Sequence, residues 1–141
     1  MGKWKGTSPA QDLARTKQAQ RAVLKTVEQP LNDQFQAEIT AVQWQWPNVT
    51  KRKNGTSVGS PRDIVDLGNL RDSQQIIERT DSSITWQWTG THTKNYALYV
   101  HDGAVFKDGT SKVARPWTKT AERQLKLDKF IEDILRRELD G

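Results

Sequence analysis

The stretch "SSITWQWTG", residues 82–90, decides the fold because its apolar and polar residues alternate strictly. Ile84, Trp86 and Trp88 fall on one face of an extended chain, and their polar neighbours fall on the other. Such alternation is typical of a half-buried strand. The preceding stretch "DSQQIIERT", residues 72–80, supplies a second strand, and an Asp-Ser dipeptide suits the turn between them. We therefore predict an antiparallel hairpin.

A long helix is predicted upstream of this hairpin. Ser8 and Gln11 fit a capping box, and Pro9 suits the first helical position. Apolar residues then recur at steps of three or four, which predicts one helical stripe made of Leu24, Val27, Leu31, Phe35, Ile39 and Val42. Pro30 lies in phase with this stripe, so we favour a kink in one helix over the start of a second helix.

Two polar segments flank the stripe. Residues 1–22 have few apolar side chains, and we expect them to project as a helical arm. Residues 47–62 are rich in turn-forming residues and include Lys51, Arg52 and Lys53, which predicts a mobile basic loop. The net charge of +5 resides in the first 61 residues, which hold nine Lys/Arg and four Asp/Glu. A solvated surface explains such a surplus as readily as an anionic partner does.

The rest of the chain completes an α+β prediction for a single domain of 141 residues. The stretch "NYALYVHDG", residues 95–103, fits either a third strand or a short helix, and residues 104–115 fit a turn or small hairpin. From Pro116 onward we predict one uninterrupted helix, packed on the sheet. Its apolar face would be formed by Leu127, Phe130, Ile131, Ile134 and Leu135.

The composition offers little for catalysis or metal binding. Cys is absent, and the two histidines are His92 and His101, whereas a zinc site needs three or four ligands. His101 and Asp102 could form an acid–base pair, but the sequence marks no nucleophile beside them. An ordinary surface or interface histidine is the other interpretation. We therefore predict no enzymatic activity, no cofactor and no metal.

The triplet Trp-Gln-Trp occurs twice, which raises the question of nucleic-acid binding. Trp86 and Trp88 could stack bases while residues 51–53 follow the phosphates. An aromatic strand face is more often core or interface. Trp44 and Trp46 lie near the predicted helix end, where residues two apart point to opposite sides. We expect this first pair to be partly exposed in the isolated chain and covered on assembly.

Three segments in the second half of the chain match, in order, a set of known motifs. "DIVDLGNLRDS" (63–73) resembles Asp-Thr-Gly-x-Leu-Arg-x-Ser, "NYALYVHDGA" (95–104) resembles Tyr-Ala-x-Tyr-Val-(acid or His)-x-Gly-(Thr or Ala), and "ARPWTKTAE" (114–122) resembles Ala-Arg-Pro-Phe-x-x-x-Ala. The matching residues are Asp66, Gly68, Leu70, Arg71, Ser73, Tyr96, Ala97, Tyr99, Val100, His101, Gly103, Ala104, Ala114, Arg115, Pro116, Trp117 and Ala121. Together the segments resemble the tail-completion, or head–tail joining, proteins of long-tailed bacteriophages. Leu67 stands where that family usually has Thr, and Trp117 where it usually has Phe.

The resemblance implies a virion structural protein that forms a closed ring at the phage neck, caps the tail end and joins it to the head connector. A tail terminator and a head-side stopper are near alternatives, and a single-stranded nucleic-acid-binding module is an alternative of another class. A hexamer is favoured and a dodecamer is possible. The implied partners are identical subunits, other neck, connector and tail-tube proteins, and genomic DNA in the lumen, bound without sequence recognition.

We expect interface or anion contacts from five residues that lie in the basic loop or just before it. These are Lys51, Arg52, Lys53, Trp44 and Trp46. The implied location is the virion, after assembly in the host cytoplasm. No run of 18 apolar residues occurs and the first residues lack an apolar stretch, so we expect neither a membrane span nor a signal peptide.

Overall fold

The fold is α+β, as predicted, with one long helix, short antiparallel strand pairs and two C-terminal helices. The computed structural model describes residues 8–47, 49–52, 55–65, 69–89, 96–105 and 111–140. Its elements are α1 (Pro9–Thr40), β1 (Thr50–Lys51), β2 (Ser57–Val58), α2 (Asn69–Asp72), β3 (Gln75–Arg79), β4 (Ile84–Gln87), α3 (Tyr96–Asp102), β5 (Ala104–Val105), β6 (Ser111–Lys112), α4 (Trp117–Leu125) and α5 (Leu127–Asp140). Asp66, Gly68 and Lys53 lie outside the described residues.

Helix α1 begins where the sequence predicts. The Ser8 hydroxyl accepts a hydrogen bond from the Gln11 amide at 3.2 Å, and the Ser8 amide donates to Gln11 Oε1 at 2.9 Å. This reciprocal capping box satisfies backbone donors that have no partner inside the helix. The helix then continues through Pro30 to Thr40, so Pro30 does not start a second helix.

The apolar stripe of α1 is buried over most of its length, which confirms the predicted periodicity. Its buried members are Val27, Leu31, Phe35 and Ile39. Leu24 is only half-buried. The prediction is wrong for Val42, which is 66% exposed. The helix ends at Thr40, so the helical spacing no longer places residue 42 on the stripe.

The N-terminal part of α1 is a helix with mostly exposed side chains. Residues 8–18 are all exposed, as their polar composition predicts. Ala19 is 1% exposed, and the Arg15 guanidinium donates to the carbonyl of Leu139 in α5. From residue 8 onward, the segment predicted as a polar arm is therefore an exposed helix with a contact to α5.

The segment predicted as a basic loop contains a short strand pair. Strands β1 and β2 are antiparallel, with Thr50 opposite Val58. Beyond them the chain returns to the end of α1, because the backbone of Arg62 exchanges two hydrogen bonds of 2.8 Å with Trp44. The Ile64 amide then donates to the Ile39 carbonyl at 2.9 Å. Whether the loop is mobile stays a prediction.

The predicted hairpin is confirmed as the antiparallel pair β3–β4. Ile76 lies opposite Trp86 and Glu78 opposite Thr85, so Ile77 is one extra residue in β3. Such an insertion is a β-bulge, which bends the strand and increases its twist. The Thr80 amide donates to the Ser83 carbonyl at 2.9 Å and closes the turn.

The ambiguous stretch after the hairpin is a helix rather than a strand. Helix α3 ends at Gly103, whose φ of 77° lies in the left-handed region that favours glycine. The Gly103 amide donates to the Tyr99 carbonyl at 2.9 Å. Strands β5 and β6 then pair, as expected for a small hairpin, and its turn lies outside the described residues.

The prediction of one uninterrupted C-terminal helix is wrong. Lys126 has φ 51° and separates α4 from α5. A non-glycine residue in this region costs about 1–2 kcal/mol, and packing compensates for it. The stripe of α4 ends at Leu125 and that of α5 starts at Leu127, and two residues of straight helix would place these on opposite faces. The break lets both helices contact α1.

Candidate functional site: an aromatic groove beside helices α3 and α4

The tryptophans of the hairpin pack against α1. The rings of Trp86 and Trp88 lie 5.3 and 5.1 Å from the ring of Phe35, each edge to face. This is the arrangement that the ring quadrupoles favour. The alternation of β4 places both tryptophans on one face, as the sequence predicts.

A network of side-chain amides fixes both indoles. Trp86 Nε1 donates to Asn32 Oδ1 at 3.1 Å, and Trp88 Nε1 donates to Gln74 Oε1 at 3.1 Å. Gln74 in turn donates to Asn32 Oδ1 at 2.9 Å, and Gln36 donates to Gln74 at 2.8 Å. Buried indole nitrogens need such acceptors. Sequence analysis missed this network because its members come from α1, β4 and the residue before β3.

An apolar groove of about 350 Å³ lies where the hairpin meets α3 and α4. Trp117 is 1% exposed and contacts Trp88 edge to face at 5.5 Å. Leu98 at the rim is 53% exposed. The lining residues are Trp86, Gln87, Trp88, Ala97, Leu98, His101, Trp117 and Thr118. The groove is thus an aromatic surface open to solvent on one side.

His101 stands at the edge of the groove and joins two helices. Its Nδ1 lies 2.6 Å from Asp102 Oδ1, and its Nε2 lies 2.6 Å from the Thr118 hydroxyl. The imidazole also contacts the Trp117 ring edge to face at 4.8 Å. The sequence indicated the His101–Asp102 pair, but Thr118 is seventeen residues from His101 and no spacing rule connects them.

A second cluster is formed around Trp46, which belongs to the first Trp-Gln-Trp triplet. The guanidinium carbons of Arg62 and Arg115 lie 5.0 and 4.6 Å from the Trp46 ring centre, within the range of cation–π contact. Burial lowers the pKa of Arg62, the charge of Arg52 lowers it further, and Asp63 acts in the opposite direction. Arg62 donates to the carbonyls of Val58 and Gly59, both at 2.8 Å. The cluster therefore ties the β1–β2 segment to the rest of the fold.

Two residues that were expected to contact a partner, Trp44 and Arg52, form contacts within the chain instead. Trp44 is 8% exposed and its Nε1 donates to the Glu38 carbonyl at 2.9 Å, so the expectation that it is partly exposed is wrong. It is buried because the chain after α1 folds back through Arg62. Arg52 forms an ion pair with Asp63 at 2.7 Å. Lys51 is exposed on β1.

The residues of the three motif segments have mostly structural environments. Leu70, Val100, Arg115 and Trp117 are buried. In the first segment, the Ser73 hydroxyl donates to the Leu70 carbonyl and Arg71 forms an ion pair with Asp72. In the second segment, Tyr96 begins α3, Ala97 lines the groove and Tyr99 is half-buried. In the third segment, Pro116 precedes α4. The motifs thus mark where elements end and pack.

A basic depression, which the sequence did not indicate, lies at the junction of α4 and α5. Its volume is about 420 Å³, and its cations are Lys119, Arg123, Lys126 and Lys129. Glu122 and Asp128 lie among them. The four cations meet because the left-handed Lys126 turns the chain between the two helices.

Within the described ranges, no three His, Asp or Glu side chains are placed to hold a metal ion. No helix among these residues is long and apolar enough to cross a membrane. Comparison with known proteins found no match to a family model, to a curated protein or to a solved structure.

Proposed function

We propose that this chain is a ring-forming structural protein of a tailed-phage neck, which completes the tail end and joins it to the head connector. One observation carries the proposal. The three segments that resemble the tail-completion family come together in the fold, although they are spread over half of the chain.

The meeting of these segments is specific. The Arg115 amide of the third segment donates to the Val100 carbonyl of the second at 3.0 Å. Leu70 of the first segment, Val100 and Trp117 belong to one buried cluster. This convergence supports reading the three motifs as one structural signature.

A ring interface needs two different surfaces on each subunit, and two exposed leucines lie far apart on this chain. Leu98 at the groove is 53% exposed, and Leu13 near the start of α1 is 56% exposed. Leu13 and Phe35, which the groove tryptophans contact, are about 33 Å apart along the helix at 1.5 Å per residue. A closed ring joins one patch to a different patch on the neighbour. A hexamer is the favoured stoichiometry and a dodecamer the alternative.

The charge distribution supports an anionic environment for the N-terminal part. The first 25 residues contain six Lys/Arg and a single acidic residue, Asp12. In a neck ring this excess would face either acidic connector surfaces or the DNA that passes through the lumen. Such contact needs no base recognition, because phosphate charge alone drives it.

Native mass spectrometry of the purified chain with two matched variants tests the ring. Leu98→Asp and Ile77→Asp introduce the same charge at sites 53% and 52% exposed, but Ile77 does not line the groove. We expect wild type and Ile77→Asp to form rings and Leu98→Asp to remain monomeric. A wild-type chain that stays monomeric at all concentrations, and that is absent from the necks of purified particles, contradicts the proposal.

A single-stranded nucleic-acid-binding module is the second candidate. The basic depression at the α4–α5 junction favours it. Against it, the basic residues and the tryptophans lie apart, because among the described residues no aromatic ring lines the depression and no Lys or Arg lines the groove. Titration with an oligonucleotide at low salt separates the candidates, because this one requires salt-dependent quenching of tryptophan fluorescence. Loss of that quenching in Lys126→Glu would assign the binding to the depression.

A further inference from the structure

We propose that Thr118, His101 and Asp102 form an acyl-transfer site, in which Thr118 is the nucleophile toward an uncharged ester bound in the aromatic groove. The proposal concerns a chemical activity of the unassembled chain, because the ring interface proposed above would cover the same groove. It rests on one observation: a hydroxyl, an imidazole and a carboxylate lie in a row at the edge of the aromatic groove.

The order of the three groups is the one that nucleophile activation needs. Asp102 Oδ1 lies 2.6 Å from His101 Nδ1, and the Thr118 hydroxyl lies 2.6 Å from Nε2. In the tautomer with its proton on Nδ1, the imidazole donates a hydrogen bond from Nδ1–H to the carboxylate, and the lone pair of Nε2 is then directed at the hydroxyl. Nε2 then accepts the hydroxyl proton as a general base, and the carboxylate stabilises the imidazolium that results.

Packing holds these groups in place. The Trp117 ring contacts the imidazole at 4.8 Å with an angle of 83° between the planes. The His101 side chain is 16% exposed, whereas that of Asp102 is 55% exposed. A base fixed by an aromatic neighbour and a carboxylate keeps its orientation before substrate arrives, which is a requirement for efficient proton transfer.

The start of α4 supplies donors for an oxyanion. Thr118 and Lys119 lie in the first turn, and among the described residues their amides donate to no backbone carbonyl. The first amides of a helix lack partners inside it and carry its positive dipole end. The amide of the nucleophile itself and that of the next residue can therefore stabilise the negative oxygen of a tetrahedral intermediate.

The groove determines the class of substrate. Trp86, Trp88, Trp117 and Leu98 provide aromatic and aliphatic walls, and among the residues that the structure describes no Lys, Arg, Asp or Glu lines it. A charged acyl group would lose its hydration there without gaining a counter-ion. The chemistry points to an uncharged ester of a short aliphatic or aromatic acid.

The reaction balances with water as the second reactant. Thr118 Oγ attacks the carbonyl carbon while its proton moves to His101 Nε2, and the carbonyl π electrons become the oxyanion. Collapse breaks the bond to the leaving alkoxide, which takes the proton from Nε2. Water then attacks the acyl-Thr118 ester, gives its proton to Nε2, and Thr118 recovers a proton as the acid leaves.

Hydrolysis of p-nitrophenyl butyrate by the full chain tests the proposal. His101→Gln and Thr118→Val should each lower kcat/KM by at least about 100-fold, the range of general-base contributions. Asp102→Asn should also lower it. His92→Gln, which changes the other histidine, and Thr120→Val, which removes the neighbouring α4 hydroxyl, should leave the rate unchanged. Equal rates for wild type and Thr118→Val overturn the proposal.

Peptide mapping by mass spectrometry decides the case even if a variant fails to fold. After brief incubation of wild type with the ester and acid quench, the butyryl group should be found on the peptide that contains Thr118, at that residue. Its absence there, or its presence on Lys119 alone, would show that the hydrogen bonds of His101 only hold α3 against α4.

Discussion

Trp44 and Trp46 follow the end of α1, whereas Trp86 lies on strand β4 and Trp88 directly after it, and the same three-residue sequence is used in two different ways. In the first triplet, one ring enters the core and the other lies under two guanidinium groups. In the second, both rings contact Phe35 from one strand face. The difference comes from the backbone and from distant partners, not from the triplet itself.

The largest expected change in the free energy of unfolding comes from a substitution in the first triplet. Trp44→Ala should lower the free energy of unfolding by about 3–5 kcal/mol, because it empties a buried site. Trp46→Ala should cost about 1–2 kcal/mol, since its contacts are cation–π interactions at a half-buried ring. Urea denaturation of both variants measures the two values. Equal costs would mean that the two rings do not divide between core and guanidinium cluster.

A smaller effect is expected when the second triplet keeps its rings but loses its indole N–H groups. Trp86→Phe and Trp88→Phe should each cost about 1 kcal/mol for the lost hydrogen bond, in addition to the cost of the volume that the smaller ring leaves empty. The acceptors Asn32 and Gln74 are bonded to one another at 2.9 Å, so the double variant should depart from additivity. Strict additivity in a double-mutant cycle would indicate two independent bonds rather than one network.

The smallest effect is electrostatic and distinguishes the two triplets by pH. The hydrogen bond from Arg79 on the hairpin, together with its charge, holds the pKa of Glu28 below its usual 4.5. A depressed carboxyl pKa stabilises the folded state above the unfolded pKa, and this stability is lost as pH falls through the folded value. Acidification below about pH 4.5 should therefore loosen the hairpin end near β3.

Fluorine NMR of fluorotryptophan-labelled protein can follow each ring separately. The resonances of Trp86 and Trp88 should move with acidification, and in Glu28→Gln they should be displaced already at neutral pH. For the Glu28→Gln variant at neutral pH the Trp46 resonance is the internal control, because that substitution leaves Arg62 and Asp63 unchanged. Movement of all three together would instead indicate a global transition.

Local pattern was enough for much of the fold, as the hairpin and α1 illustrate. The alternation around Trp86 and the capping box at Ser8 are signals within a few residues. The break at Lys126 had a signal too, because Leu125 and Leu127 are separated by a step of two that no single helical face accommodates. The absence of Gly and Pro there led to the prediction of one helix.

Other features could not be predicted because they depend on residues far apart in sequence. The burial of Trp44 follows from its backbone pairing with Arg62, and the row from Asp102 to Thr118 requires α3 and α4 to meet. Nothing in the spacing of two acceptors such as Asn32 and Gln74 indicates that both receive tryptophan N–H groups. Long-range contacts of this kind arise only when the chain folds.

The bulge at Ile77 has a consequence for how the protein behaves in concentrated solution. Among the described residues the β3–β4 sheet has two strands, so its outer edges are open to pairing with another chain. A bulge interrupts the even spacing of backbone donors and acceptors along such an edge, and natural sheets use it to prevent edge-to-edge aggregation. Deleting Ile77 would leave Ile76 opposite Trp86 but make the edge regular. The variant without Ile77 should then be less soluble, which turbidity would detect, while its free energy of unfolding stays that of the wild type.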